Sequence, residues 1–393
     1  MKQLISILGS TGSIGLTTLK ILDKKKKLLT PYIFLANKNY KRICQQIKIY
    51  KPRFFLINDE IVYKKIKNKF HNSKTTIVNS LDKIKIKKKS DITISAIPGI
   101  IGLKPTIYFT KISNKILIAN KESIICGWYL IKKAIKKNNT KIIPIDSEHF
   151  SLMNLLKNHN ISEINKIYIT ASGGPFLNYK SHHLKNIKPI NALKHPKWKM
   201  GKKISIDSAT LMNKILELIE AQKLFDIPAE KLDIIIHPNS LVHAIIDFRN
   251  GLKKFIYHET TMVIPIANAI FDGKLDIRDI IKVKNNVKNI QNLKFSLVDK
   301  KTFPIIKILN RISEFFATPI IINSANEVLV DHFLREKIPF LGIQKIILNI
   351  MKDKNYKKYA IRKPNNFNTI SKIDSWAKNI TNKKIKYFYG KNN

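Results

Sequence analysis

The stretch that decides the fold is Leu4-Ile5-Ser6-Ile7-Leu8-Gly9-Ser10-Thr11-Gly12-Ser13-Ile14-Gly15. Its first five residues form a short apolar run suited to a buried strand. The segment from Leu16 to Leu22 then reads as a helix. Strand, glycine turn and helix together make a phosphate cradle, because small residues let backbone N–H groups approach an anion at a helix N-terminus. The spacing is G-x-x-G-x-x-G rather than G-x-G-x-x-G, so a plain tight turn stands as the competing reading. The next strand, Tyr32 to Ala36, ends in Asn37-Lys38-Asn39. NAD-selective folds carry an acid there for the ribose 2′-hydroxyl. None is present, and Lys38 is available for a 2′-phosphate, which favours NADP.

Outward from this unit the same alternation continues. Phe54 to Asn58, Asp91 to Ala96, Ile116 to Ala119 and Lys141 to Ile145 read as further strands. Such alternation implies an α/β fold with an N-terminal, doubly wound, Rossmann-like parallel sheet. Lys121 and Glu122 follow one strand end. Asp146-Ser147-Glu148-His149 follows another, where open α/β sheets place ligands. On extended backbone Asp146 and Glu148 share a face, and carboxylates that close need a cation or a shared proton between them. A solvated acidic loop is the plain alternative, weakened because the chain has 27 acidic against 72 basic residues.

Beyond Phe150 the pattern changes. Ile167 to Ala171 reads as a strand ending in Ser172-Gly173-Gly174-Pro175-Phe176. A polar stretch, 177–203, carries His182, His183, His195, Trp198 and Met200 and suits a lid. Asp207 or Ser208 is the expected N-cap of a helix from Ala209 to Phe225. On it Asn213, Glu217 and Glu220 share one face beside Lys214, either as a solvated stripe or as a source of a third carboxylate. Three oxygen ligands suit Mg²⁺ or Mn²⁺. His237-Pro238-Asn239-Ser240 and His243 offer no zinc spacing. The expected division is a cofactor domain at 1–150, a central α+β catalytic and dimerisation domain at 151–280 with a lid at 182–202, a connector at 281–311 and a small C-terminal helical domain at 312–393.

Composition narrows the partners. A net charge of +45 invites a nucleic-acid reading, but only seven of the 72 basic residues are Arg, leaving 65 Lys. Base and phosphate readout favours the Arg fork, so no nucleic-acid partner is expected; a positive field toward an anionic substrate is. No apolar run approaches the roughly 18 residues of a membrane span, and no membrane partner is expected. Nothing at the N-terminus resembles a signal peptide. Cys44 and Cys126 suit free thiols in a reducing compartment, and a cytoplasmic protein is the expectation.

GSTGSIG at 9–15, ANKES at 119–123, DSEH at 146–149, SGGPF at 172–176, HPKWKMG at 195–201, DSATLMNK at 207–214 with Glu217, and HPNSLVH at 237–243 occur in this order. The chain thereby resembles the 1-deoxy-D-xylulose 5-phosphate reductoisomerase family over essentially its whole length. The resemblance implies a homodimer that rearranges and reduces its phosphorylated substrate to 2-C-methyl-D-erythritol 4-phosphate, for isoprenoid precursor synthesis. NADPH and Mg²⁺, Mn²⁺ or Co²⁺ would be its cofactors. It implies Asp146, Glu148 and Glu217 as metal ligands and, with Lys121, as the catalytic set. Lys121 and Ser147 would meet the hydroxyl and carbonyl end of the substrate, and Ser172, Ser208, Asn213 and Lys214 its phosphate. His195, Trp198 and Met200 would belong to the lid, His195 also touching substrate. Thr11, Gly12, Ser13, Ile14, Asn37, Lys38, Asn39, Asn120, Glu122 and Gly201 would line the NADPH site. Asn37 departs from the glycine usual in the family, which leaves the 2′-phosphate contact open. The rival readings are an NADP-dependent sugar-phosphate dehydrogenase without the isomerase step and a basic nucleic-acid-binding protein.

Overall fold

The computed structural model describes residues 2–198, 200–282 and 293–390. Two compact units emerge: Met1–Ser123 with Tyr129–Phe150 and Thr261–Asn285, and Ile124–Trp128 with Ser151–Thr260 and Asn286–Asn393.

The first unit is a seven-stranded, all-parallel sheet, β1 (Gln3–Leu8), β2 (Leu29–Ala36), β3 (Phe54–Ile57), β4 (Thr76–Val78), β5 (Ser90–Ser95), β6 (Ser113–Ile118) and β7 (Lys141–Pro144). Their spatial order is β4-β3-β2-β1-β5-β6-β7, so the winding reverses at β1 and β5. That crevice is where doubly wound sheets take ligands. The strands read as continuous apolar runs because both faces are covered; all four residues of β3 are buried. Leu8, Ile33, Leu35, Phe54, Phe109 and Ile116 belong to one core cluster. The helices are α1 (Ser13–Lys24), α2 (Tyr40–Tyr50), α3 (Glu60–Lys69), α4 (Leu103–Lys111), α5 (Lys121–Asn138) and α6 (Ser147–Leu155).

The second unit carries a mixed sheet of β8 (Ile164–Ala171), β9 (Leu232–Ile236), β10 (Val242–Phe248), β11 (Lys253–Tyr257) and β12 (Ser296–Leu297), ordered β11-β10-β8-β9-β12. Helices α7 (Pro189–Ala192), α8 (Lys202–Ala209) and α9 (Met212–Phe225) follow β8. Two expectations are corrected here. Asp207 and Ser208 do not cap one long helix; they lie in the last turn of α8. The chain breaks at Leu211, whose φ of +65° a helix cannot propagate, and α9 starts only at Met212. Thr210 Oγ1 closes α8 by donating to the Ile206 carbonyl at 3.0 Å.

The expected boundaries also shift. The segment of α10 (Val263–Phe271) groups with the first unit. Lys115 on β6 donates to the Ala269 carbonyl at 3.0 Å and pairs with Asp272 at 3.0 Å, holding the helix C-terminus by its free carbonyl end. The expected connector is partly sheet, since Ser296 and Leu297 pair with Ile236 and Ile235; its residues 283–292 lie outside the described ones. The C-terminal part is helical, with α11 (Thr318–Leu334), α12 (Phe340–Ile350), α13 (Tyr356–Ala360) and α14 (Phe367–Tyr389). It belongs to the second unit rather than standing apart, because α11 packs on α8 and α9 as well as on α12 and α14. Among the described residues no helix is long and apolar enough to cross a membrane.

Candidate active site

The glycine turn after β1 has a separate physical reason at two of its glycines. Gly9 holds φ +88°, and a Cβ there would lie 2.6 Å from the Ala96 carbonyl oxygen. A Cβ on Gly15 would lie 2.5 Å from the Gly9 oxygen. Both would fill the turn that the chain folds back on. Gly12 is the N-cap of α1 and no acid lies in the first turn, so the helix start presents backbone N–H groups to an anion without a side chain over them. Ser10 and Gln46 lock the turn to α2: Ser10 Oγ donates to Gln46 Oε1 at 2.6 Å, and Gln46 Nε2 donates back to the Ser10 carbonyl at 2.9 Å.

Thr11 to Ile14 and the exposed Asn37, Lys38 and Asn39 all stand at carboxyl ends of strands in this sheet. Asn39 caps α2, its Oδ1 accepting from Arg42 N at 3.2 Å. Asn120 caps α5, accepting from Ser123 N, and its amide donates to the carbonyls of Ile97 and Gly99. Its side chain is thus committed to structure. Glu122 is buried in the first turn of α5.

Asp146 and Glu148 depart from expectation in local geometry. The backbone does not stay extended: α6 begins at Ser147, and Phe150 N donates to the Asp146 carbonyl at 2.8 Å. Strand alternation therefore says nothing about them; Asp146 precedes the helix and Glu148 sits in its first turn, where negative charge is favoured. Lys121 Nζ lies 3.3 Å from Asp146 Oδ2, with side chains 9% and 23% exposed. Ser147 Oγ donates to Glu148 Oε2 at 2.7 Å.

In the second unit α9 turns its polar face inward. Asn213, Lys214, Glu217 and Glu220 are all buried, which removes the solvated-stripe reading. Glu217 Oε2 accepts from Lys214 Nζ at 2.7 Å, and its other oxygen accepts from Asn213 Nδ2. Ser172 follows β8, and the next turn uses positive φ at Gly173 and Gly174. A Cβ on Gly174 would lie 3.0 Å from the Ser208 carbonyl oxygen, so glycine lets this turn approach α8. His195 Nε2 is 3.0 Å from Ser172 Oγ. Burial first, and then the Lys214 charge, push the His195 pKa down to about 4.

Family models match at residues 5–127 (1-deoxy-D-xylulose 5-phosphate reductoisomerase), 142–225 (its C-terminal domain) and 259–380 (DXP reductoisomerase C-terminal domain). The 1-deoxy-D-xylulose 5-phosphate reductoisomerase of Pelagibacter ubique is 43% identical over 383 residues, 95% of this chain and 97% of the relative. The chain belongs to the 1-deoxy-D-xylulose 5-phosphate reductoisomerase family. The enzyme of the same name from Wolbachia of Drosophila simulans is 38% identical over 88% of this chain and 89% of its own length. A reductoisomerase structure in complex with NADPH, fosmidomycin and magnesium superposes with a TM-score of 0.89 at 31% identity, covering 98% of each chain. The Zymomonas mobilis enzyme in complex with NADPH gives 0.87 at 29%, over 98% of this chain and all of that one.

The residues that the sequence reading assigned to a lid have clear neighbours. Trp198 packs edge-on to His243, ring centres 6.1 Å apart, and His243 stacks on His258 at 4.0 Å. Met200 is half-buried and Gly201 is the exposed N-cap of α8; Lys199 lies outside the described residues. Sequence reasoning missed Arg42, whose guanidinium donates to the Thr11 carbonyl at 2.7 Å. Its rarity was the available signal: with seven Arg in the chain, one beside the Asn37–Asn39 turn is more informative than any Lys. Asp207 was read only as a cap. It is buried instead, accepting from Asn326 Nδ2 at 2.7 Å and pairing with Lys203 at 2.9 Å.

Proposed function

We propose that Asp146, Glu148 and Glu217 hold a divalent cation, and that Lys121, Ser147, Ser172, Ser208, Asn213 and Lys214 hold the substrate, in the reaction of this family. As a family member the chain is an NADP-dependent oxidoreductase. It converts 1-deoxy-D-xylulose 5-phosphate to 2-C-methyl-D-erythritol 4-phosphate, with NADPH and a divalent metal, in isoprenoid precursor synthesis. One observation carries the assignment of roles. Among the described residues, Lys121 and Lys214 are the lysines that are buried, and each is paired with a proposed ligand, Asp146 or Glu217. Desolvating an ammonium is costly unless it is paired, so a chain with 65 lysines has no packing reason to bury these two.

The donor sets fit the cofactors. Carboxylate oxygens are hard ligands suited to Mg²⁺ or Mn²⁺. The turn that a Cβ at Gly9 or Gly15 would fill, with the uncovered start of α1, suits a pyrophosphate. Lys38 and Arg42 supply cations beside Asn37 and Asn39 for a 2′-phosphate. When bound, the metal supplies Lewis-acid polarisation of a carbonyl and NADPH supplies hydride. Lys121 donates to the substrate oxygen that gains negative charge, and Ser147 orients its hydroxyl end. Ser172, Ser208, Asn213 and Lys214 place hydroxyl, amide and ammonium donors on the phosphate. Trp198 and Met200 would close over the bound substrate and exclude water, and Gly201 would contribute to holding the cofactor.

A homodimer is the assembly this reading favours. Support comes from the edge strand β11 and its turn, where Leu252 and Phe255 are 58% and 47% exposed, apolar surface that a partner chain would cover. Cys44 and Cys126, buried and outside any disulfide, suit the cytoplasm. The decisive experiment is NADPH oxidation with 1-deoxy-D-xylulose 5-phosphate, with and without Mn²⁺, and identification of the product. Metal-dependent turnover to the branched tetrol phosphate is expected. An unbranched reduced sugar would leave only the dehydrogenase reading.

A further inference from the structure

The hydrogen bonds around His195 fix more than its position. Its Nδ1 accepts from two backbone amides of the lid, Trp198 N at 2.8 Å and Lys197 N at 3.2 Å. A ring nitrogen that accepts carries no proton, so in neutral imidazole the proton belongs to Nε2. That atom lies 3.0 Å from Ser172 Oγ and therefore donates to it. The same Oγ also accepts from Gly174 N at 3.1 Å. A hydroxyl has two acceptor lone pairs and one donor hydrogen. With both lone pairs engaged from within the protein, the Ser172 hydrogen is left to point at a third partner.

We propose that His195 is a positioning residue locked as the Nε2–H tautomer, which ties the lid backbone at 197–198 to β8 and makes Ser172 an obligate donor to an anionic ligand oxygen. The lock does two jobs through opposite ring atoms. Nδ1 holds the segment that leads into Trp198, and Nε2 sets the polarity of the hydroxyl that follows β8. A serine free to rotate could accept as readily as donate, and against a dianionic phosphate an accepting orientation is repulsive. Burial and the nearby Lys214 charge both disfavour a second ring proton, which keeps Nδ1 available to the lid amides. Gly174 participates because its φ of +64° turns its N–H back onto Ser172. The ligand half of the proposal rests on the phosphate role given to Ser172 above; the tautomer half stands on the hydrogen bonds alone.

The two halves separate experimentally. ¹⁵N-histidine NMR of the full-length protein, without substrate, reads the tautomer, with the His195 resonance assigned by its loss in His195→Gln and His195→Asn. The expected signature is neutral Nε2–H, unchanged on titration through the ordinary histidine range near 6.5. An Nδ1–H tautomer or an ordinary titration would overturn the lock, whatever reaction the enzyme performs. The two amide variants then divide its roles. Asn places an acceptor near the Nδ1 position, and Gln places a donor near Nε2. His195→Asn should keep the wild-type resistance of residues 182–202 to proteolysis but weaken binding of inorganic phosphate by about threefold, the cost of selecting one of roughly three staggered orientations for a hydroxyl no longer held. His195→Gln should keep phosphate binding and lose the protection. Equal loss of both properties in both variants would show that the ring is merely packed there, and retention of both would show that neither bond matters.

Discussion

Replacing Glu217 by Gln separates a metal ligand from a structural acid. In the wild type the carboxylate and Lys214 Nζ are 2.7 Å apart, with side chains 1% and 10% exposed. Gln keeps the shape, and its carbonyl can still accept from Asn213, but the Lys214 ammonium loses the Glu217 charge. Breaking a buried pair on one side costs about 3–5 kcal/mol; the retained carbonyl argues for the lower end, about 3 kcal/mol. At about 2–4 °C per kcal/mol for a unit of this size, the melting transition of the unit carrying α9 should fall by roughly 6–12 °C. The metal then adds a second readout. A cation held at 100 times its dissociation constant stabilises its site by about 2.7 kcal/mol, so saturating Mn²⁺ should raise the wild-type transition by roughly 5–11 °C and leave Glu217→Gln almost unmoved. Differential scanning fluorimetry, with and without Mn²⁺ and in the absence of substrate, measures both. A variant that loses stability yet gains the full increment from Mn²⁺ would remove Glu217 from the metal shell. A variant with unchanged melting would refute the buried-pair argument itself.

Three further outcomes follow from the same geometry. Gly9→Ala must place a Cβ 2.6 Å from the Ala96 carbonyl oxygen at φ +88°; backbone strain of roughly 1–2 kcal/mol before any clash should lower the melting transition and weaken NADPH binding at least tenfold in a fluorescence titration. Lys214→Ala should raise KM for the phosphorylated substrate by tenfold or more through loss of a charge-assisted bond, and a change confined to kcat would contradict a phosphate role. His195, held down to about 4, binds its proton more weakly folded than unfolded, so the unfolded chain takes up the extra proton as pH falls from about 6.5 toward 4 and stability drops across that window. His195→Gln lacks this slope, and the stability gap between the two proteins should narrow on acidification in parallel denaturant titrations.

The parallel sheet was legible because its strands are buried on both faces, and continuous Ile, Leu and Phe runs with glycine or asparagine turns have few other uses. What local sequence could not show was where backbone changes hand or direction. The pattern from Ala209 through Met212 reads as one unbroken helix, and nothing in the residue type of Leu211 announces a φ of +65°. Pro144 closes β7 and Ile145 follows it, so extended backbone through Glu148 was a fair reading, yet α6 starts at Ser147. The grouping of 261–285 with the first sheet depends on Lys115, about 150 residues earlier, a distance no periodicity spans. For the site, single residues were ambiguous: an Asn213, Lys214, Glu217 face looks the same buried or solvated. Order and spacing of whole motifs favoured a site there, and burial supports the polar-interior reading. Arg42 was marked only by the rarity of its residue type, and the two-sided bonding of His195 left no mark in the local pattern.

The charge of the chain and the charge of the site obey different physics. A surplus of 45 positive charges, mostly lysine on flexible stems, produces a field that draws anions but is screened within about 8 Å at physiological salt. Each exposed lysine that grips a ligand must also lose side-chain freedom, up to about 1.5–2 kcal/mol. Lys121 and Lys214 have lost theirs on folding. Each is already oriented by a carboxylate, and each could share its donors with a phosphate or a developing oxyanion at little further ordering cost. The carboxylates gain in the same way, since Asp146 and Glu217 keep a counter-charge before any divalent ion arrives. Selection for lysine elsewhere on the surface can therefore proceed with little effect on the site, while substitution of either buried lysine takes a counter-charge from a carboxylate and, on the proposed roles, an anion donor in one step.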